Sequence, residues 1–322
     1  MLIQVIYFTE NGNRIFEKLK QSAPNHVFEK CDGLEGAFKY HLPIVFIGAT
    51  GIAVRQISPF INDKLTDSPV IVIDELGHFV ISILSGHVGG ANALAKELAE
   101  CLEATPVITT ATDINNVFAI DVFAEKNGLR ILDKKYIKTV SSKLLKKETI
   151  IIKCEIDADF EGDMPENVKL VTEGDNFDVL ITDSALEMDC LVLVPKRTIL
   201  GMGCKKDKGF EELLEFVKKH VPIEDLQKDI YALTSIDVKA KEKGLLTLAS
   251  YLDTFFITFS ADELNELSGD FSSSAFVKET VGVDSVSERS AVALGGTLTA
   301  KKIAENGMTL AIAHRDLRSL VW

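Results

Sequence analysis

The densest group of reactive side chains in this sequence is Ser85-Gly86-His87-Val88-Gly89-Gly90-Ala91-Asn92. Its three glycines let backbone come close to a ligand, and N–H groups at the start of a following helix favour an anion. His87 adds an imidazole, which takes or gives a proton near neutral pH once a neighbour fixes its tautomer. Ser85 and Asn92 place a hydroxyl and an amide on either side. Asp74 and Glu75 lie a dozen residues earlier, and a hairpin between them and His87 would make Glu75 the partner of the imidazole. His87 and Glu75 are therefore the candidate catalytic residues. Ser85, Gly86, Gly89, Gly90 and Asn92 are candidate ligand contacts.

Glycine junctions of the same kind recur at Gly48/Gly51, Gly201/Gly203 and Gly295/Gly296. Loops at the carboxyl ends of strands line the ligand crevice of open α/β sheets. Arg55 falls one turn into the helix expected after Gly51, where a guanidinium suits a bidentate carboxylate clamp. Lys205, Lys206, Lys239 and Arg289 are comparable cations later in the chain. Nucleotide signatures do not fit: G-x-x-x-x-G-K-[ST] is absent, and Gly201-x-Gly203 lacks the third glycine of a dinucleotide loop. Ser85 is outside any G-x-S-x-G elbow, so a serine nucleophile is not expected. His78, His87 and Glu75 have no H-E-x-x-H spacing, so no metal site is expected either.

These groups need a scaffold, and hydropathy supplies one. Residues 1–125 alternate short apolar strands (Ile3–Phe8, Pro43–Ile47, Val70–Ile73, Phe79–Leu84, Pro106–Thr109) with amphipathic helices, as an α/β domain should. Leu94, Leu98, Cys101 and Leu102 recur at helical spacing after the Ser85–Asn92 loop. Residues 126–195 combine a lysine-rich helix with strands near 149–154, 168–172, 178–182 and 190–194, separated by acidic turns. That pattern predicts a small, strand-rich middle domain. Residues 196–322 form a second α/β domain, with a strand at Thr198–Leu200 leading into a glycine turn at Gly201–Asp207. Asp207 is expected to cap the next helix, and Ser260–Glu263 and Ser285–Glu288 match the capping box. Thr309–Ala313 is read as the final strand. The expected fold class is thus α/β, with N- and C-terminal α/β domains joined by the middle domain.

Composition narrows the function. The chain has 322 residues, 46% apolar and 26% charged, with a net charge of −13 from 48 acids and 35 bases. That balance argues against nucleic acid or an anionic membrane as partner, while leaving room for a local cluster of donors around a small anion. No apolar run approaches the roughly 20 residues that span a bilayer. Five scattered cysteines, none in a C-x-x-C pair, fit a reducing cytoplasm better than a disulfide framework.

Several longer stretches resemble one family. They are Gly48-Ala-Thr-Gly-Ile-Ala-Val-Arg55, Asp63-Lys64, Pro69–Gly77 and Ser85–Asn92 in the first domain, and Gly201-Met-Gly-Cys-Lys205, Ser235–Lys239 with Glu242 and Gly244, Phe271–Ser274 and Phe276–Glu288 in the last. Together they resemble the CbiG family, the cobalt-precorrin-5A hydrolases of anaerobic cobalamin biosynthesis. The family usually carries arginine where this chain has Lys205, which keeps the charge and loses planar bidentate recognition. The resemblance implies a polycarboxylate, cobalt-bearing substrate whose δ-lactone is opened by water and which then loses acetaldehyde. It also implies that Gly48, Thr50, Gly51, Arg55, Gly201, Gly203, Lys205 and Lys239 join the Ser85–Asn92 loop in holding that substrate. No protein cofactor is implied, since cobalt arrives with the substrate. The precorrin is the expected partner, and a homodimer is compatible with the sequence. A non-catalytic corrinoid carrier of the same pathway is the alternative reading.

Overall fold

Continuous apolar runs of four to six residues build the first sheet: β1 (Leu2–Tyr7), β2 (Val27–Lys30), β3 (Ile44–Ile47), β4 (Val70–Ile73) and β5 (Phe79–Leu84), closed by β6 (Thr105–Val107). Strands apolar on both faces must be covered on both faces. Helices α1 (Glu10–Ser22) and α4 (Ala91–Leu102) cover Ile3, Val5, Val45, Ile47, Ile71, Ile73 and Val80. Helices α2 (Leu34–Lys39) and α3 (Thr50–Ile57) lie with Leu2, Ile44, Phe46, Val70 and Val72 on the other face. The strand order is β2-β1-β3-β4-β5-β6. Strands β1 to β4 are parallel, β5 is antiparallel to β4, and β6 is parallel to β5. The computed structural model describes the whole chain apart from residues 64–65, 88, 116, 223–225 and 227 and the side chain of 276.

The chain then runs through α5 (Ala111–Ile114), α6 (Ile120–Lys126), β7 (Leu129–Ile131), α7 (Lys135–Leu145), β8 (Ile150–Cys154), β9 (Asp159–Glu161), β10 (Val168–Val171), β11 (Val179–Ile181) and β12 (Leu191–Pro195). A third stretch holds β13 (Thr198–Cys204), α8 (Phe210–Lys218), β14 (Ile230–Ile236), α9 (Lys243–Tyr251), β15 (Phe255–Phe259), α10 (Ala261–Glu266), α11 (Ala275–Val281), α12 (Val286–Val292), β16 (Gly296–Glu305), β17 (Met308–Arg315) and β18 (Ser319–Val321). Two compact units result: Met1–Ile108 with Thr198–Arg315, and Thr109–Arg197 with Asp316–Trp322.

The second unit has its own sheet, β10-β8-β11-β12-β7, with a two-stranded pair β18-β9 beside it. Residues 109–125 and 316–322, which the sequence pattern leaves in the flanking domains, group here. Ile120, Phe123, Leu317 and Leu320 pack into the same core as Ile150, Ile152, Val179 and Leu191. Of the lysines on its basic helix, Lys143 pairs with Asp178 at 2.6 Å.

Within the first unit, the sheet β15-β14-β13-β17-β16 joins the first sheet through α9. Leu246 of α9 is buried among Ile44, Phe46, Val70 and Val72. Ser250 Oγ donates to the His41 carbonyl at 2.8 Å, Lys243 pairs with Glu29, and the Tyr40 hydroxyl donates to Glu211 at 2.8 Å. Strand β13 runs on through Gly201 to Cys204 and does not break into a glycine turn. Strand β16, unforeseen in the hydropathy pattern, pairs with β17 through Asn306-Gly307. Both turn residues have positive φ (50° and 76°), the conformation that Asn-Gly hairpins require.

Two of the three expected caps differ. Asp207 adopts φ 60°, and Gly209 takes the cap position of α8, its N–H bonded by Glu212. Ser260 and Glu263 do form the expected box. In Ser285–Glu288 the glutamate turns away from the cap and is fully buried. Its carboxylate accepts from Ser272 N and Oγ (2.5 and 2.9 Å), Ser285 Oγ (3.2 Å) and Lys302 N (2.8 Å). It therefore ties the 271–274 segment and β16 to α12. Burial pushes this carboxyl up, but the four donors outweigh it and the net shift is downward. A lowered folded-state pKa contributes stability above the unfolded value, near 4.3, that is lost as pH falls through the folded one. Glu288→Gln turns an amide NH2 toward those donors and should cost about 2–4 kcal/mol at pH 7. Urea unfolding should show that gap narrowing as the pH is lowered toward 3.

Candidate functional site

Strand order fixes where the first unit can hold a ligand. From β1 the connections go outward to β2 on one side and to β3 and β4 on the other, so β1 and β3 flank a topological switch point. Ligands of open α/β sheets sit outside the carboxyl ends of strands at such a point. Thr9 follows β1 and caps α1, its Oγ1 accepting from Gly12 N at 3.1 Å. The same hydroxyl donates to Glu75 Oε1 at 2.8 Å, which holds the half-buried carboxylate across the ends of β1 and β4. Gly48, after β3, has φ 149° and donates its N–H to the Ile73 carbonyl at 2.8 Å. No atom lies within 4 Å of where its Cβ would be, so its backbone faces open space. Thr50, Gly51 and Arg55 are exposed on α3, with Arg55 Nη1 bonded back to the Gly51 carbonyl at 3.1 Å.

The third sheet presents its loops on the same side. Helix α9 begins beside Glu29, near the end of β2, and finishes beside His41, just before β3. Strands β13 and β14 therefore end toward the Glu75 edge. Lys205 is exposed there, with its stem over Gly307 and its N–H bonded to the Gly307 carbonyl. Lys239, expected to hold substrate, is instead largely buried and paired with Glu242 at 2.8 Å. Glu242 also accepts from Asp207 N at 2.8 Å, so the pair braces the 205–209 loop. Gly201 and Gly203 are likewise corrected from ligand contacts to packing residues. A Cβ on Gly201 would meet the Ser287 carbonyl at 1.9 Å, and one on Gly203 the Thr309 hydroxyl at 2.7 Å. Burial pushes the neighbouring Cys204 thiol up to about 11, which keeps it protonated and poorly nucleophilic.

The Ser85–Asn92 loop lies elsewhere. Because β5 runs against β4, with Val70 opposite Leu84 and Ile73 opposite Val80, this loop leaves the opposite edge of the sheet from Glu75. Six residues of strand separate the edges by about 17 Å. Glu75 therefore does not orient His87, and the expected dyad does not form. The loop also closes on itself. Gly90, Ala91 and Asn92 donate their N–H groups to the carbonyls of His87, Ser85 and Gly86, so these three are not open to an oxyanion. Ser85 Oγ donates to the Asp67 carbonyl at 2.8 Å, and Asn92 is buried against Gly86. Asp67 was not singled out from sequence; its buried carboxylate accepts the N–H groups of Asn62 and Asp63 and shapes the neighbouring turn. Thr9 was also passed over, although a threonine opening an amphipathic helix is a cap signal.

Among the described residues, no group of three or more His, Cys, Asp or Glu is placed to hold a metal ion, and no helix is long and apolar enough to cross a membrane.

Known proteins resemble this one along most of its length. Residues 32–113 match the family described as Cobalamin synthesis G N-terminal, and residues 198–313 match Cobalamin synthesis G C-terminus. The cobalt-precorrin-5A hydrolase of Salmonella typhimurium is 38% identical over 297 residues, covering 86% of this chain and 84% of that protein. Its namesake from Priestia megaterium is 31% identical over 301 residues, covering 87% and 80%. A crystal structure of a cobalamin biosynthesis protein G homolog from Sulfolobus solfataricus is 26% identical, covers 98% of this chain and 96% of its own, and has a TM-score of 0.44.

The glycines of the two edges should respond differently to alanine. At Gly89 a Cβ would meet Ser85 Cβ at 2.4 Å and its carbonyl at 2.8 Å, so Gly89→Ala should destabilise by about 1–3 kcal/mol. At Gly51 the nearest atom is the mobile Arg55 guanidinium at 3.5 Å, and Gly51→Ala should leave the melting temperature unchanged or raise it. Thermal unfolding of the two variants checks both.

Proposed function

The chain belongs to the CbiG family of cobalt-precorrin-5A hydrolases, and from that premise we propose how its residues carry out the reaction. It is a hydrolase of anaerobic cobalamin biosynthesis, opening the δ-lactone of cobalt-precorrin-5A with release of acetaldehyde to give cobalt-precorrin-5B. The observation carrying this over a non-catalytic carrier is the 38% identity to a cobalt-precorrin-5A hydrolase across 86% of the chain.

Two bonds break. Water adds to the lactone carbonyl as a base takes its proton, and the tetrahedral oxyanion collapses with loss of the ring C–O bond. A carboxylate and a secondary hydroxyl result. A base then removes the hydroxyl proton and the adjacent C–C bond breaks. Acetaldehyde leaves, the electron pair passes into the conjugated macrocycle, and the macrocycle takes up a proton. Each protein task is a proton transfer or the holding of a carboxylate, so the chain needs no cofactor of its own, and cobalt stays part of the substrate. The free thiols suit a reducing cytoplasm.

Glu75 is the base in this reading. Its Oε1 is fixed by the Thr9 hydroxyl, leaving the other oxygen to accept a proton at the switch point. Gly48, Thr50 and Gly51 let backbone approach the substrate there, while Arg55 and Lys205 meet its carboxylates. The competing base is His87 at the opposite edge, favoured by a loop of Ser85, Gly86, Gly89, Gly90 and Asn92 that closes around it.

Purified protein should release acetaldehyde from cobalt-precorrin-5A, measured by coupled NADH oxidation. Glu75→Gln should lower kcat by roughly 10²-fold or more, with His87→Ala retaining most of the activity. The reverse pattern would move the base to the other edge. Absence of acetaldehyde from the wild-type protein would sink the hydrolase reading altogether.

A further inference from the structure

Beside the switch point, where β2 ends, the first unit carries an open groove of about 420 Å³. Ile6, Leu34 and Phe60 give it apolar walls, and Cys31 and Gln56 complete it. Ile6 belongs to the strand that leads into Thr9, and Gln56 directly follows Arg55 on α3, so the groove is continuous with the crevice holding Glu75. The charges around it are ordered. Lys30 precedes Cys31, is exposed, and holds its ammonium 5.2 Å from the Tyr7 ring centre at the end of β1. Arg55 stands on the other side. The Asp32 carboxylate lines the groove itself and disfavours a second carboxylate inside it.

An apolar trough with one internal acid and cations at its margins suits a ligand that is alkyl-rich along one edge and carboxylated around it. We propose that this groove seats the alkyl-bearing edge of the precorrin ring, with its acidic arms passing out beside Lys30 and Arg55. The inference rests on the reading of the reaction given above and adds a binding residue set to it. Gly33 is the lever for a test. It lines the groove with extended backbone (φ 179°), and no atom lies within 4 Å of where its Cβ would be, so a side chain there fills the groove without strain.

Gly33→Phe should raise KM for cobalt-precorrin-5A, and the Kd for cobyrinic acid in equilibrium dialysis, by about tenfold or more while leaving kcat nearly unchanged. Gly36→Phe adds the same volume on α2 outside the groove, also into open space, and should change neither. In the wild-type protein, cobyrinic acid should slow alkylation of Cys31 by iodoacetamide, read by mass spectrometry, which keeps the test independent of how the variants fold. Unchanged KM and Kd in folded Gly33→Phe, or unprotected Cys31, would overturn the groove while normal acetaldehyde release left the reaction standing. Weakened cobyrinic acid binding in Gly33→Phe with no acetaldehyde from the wild type would do the opposite.

Discussion

The carboxylate of Asp74 accepts the N–H groups of Leu76 and Phe79, at 2.9 and 2.6 Å, and so closes the turn that reverses the chain between β4 and β5. Gly77 completes that turn at φ 71°, with no room for a Cβ, since Ile15 would lie 2.9 Å from it. The reversal decides how the chemistry is divided. Were β5 parallel to its neighbours, His87 would emerge at the edge that holds Thr9, Gly48 and Glu75. Antiparallel, it delivers the Ser85–Asn92 loop to the far edge and returns the chain through α4. Glu75 sits inside the turn, so the residues that fix the hairpin also fix the carboxylate against Thr9.

Charge at the Glu75 edge is shaped as much by what is spent as by what is left. Lys239 and Glu242 neutralise one another while bracing the loop after β13, and Glu288 is saturated by four donors in the third sheet. Arg289, another candidate cation, donates to Asp284 and to the carbonyls of Leu264 and Leu267 and stacks on Phe271. These charges hold elements together and are not positioned to serve a substrate. Lys30, Arg55, Lys205 and Lys206 are exposed on loops and helix faces at strand ends, where a polycarboxylate can reach them.

The sequence was most legible where a single period ruled. Strands Val70–Ile73, Phe79–Leu84 and Phe255–Phe259 match their apolar runs residue for residue. It was least legible where glycine had two explanations. Gly201 and Gly203 look like loop glycines, but their role is set by α12 and β17, which pack against them from nearly a hundred residues away. Strand direction is equally silent in one chain: an acidic turn says that β4 and β5 are joined, and only the ladder says that the pairing parts Glu75 from His87. Strand β16 was missed for another reason. Its burial alternates, so it has no continuous apolar run, although Asn306-Gly307 announced the hairpin.

An acidic protein that binds a polyacid must keep its own carboxylates from dominating the site. With a screening length of about 8 Å, the overall charge of −13 matters less than the charges at one sheet edge. At that edge the one carboxylate needed as a base is held by a neutral hydroxyl, not by a cation. An arginine in place of Thr9 would stabilise the ionised form and make Glu75 a weaker base. A hydroxyl fixes the geometry at smaller cost in basicity, and it leaves Arg55 and Lys205 to the substrate's acids. Thr9 thereby separates the two tasks that the edge must perform, taking a proton and holding an anion.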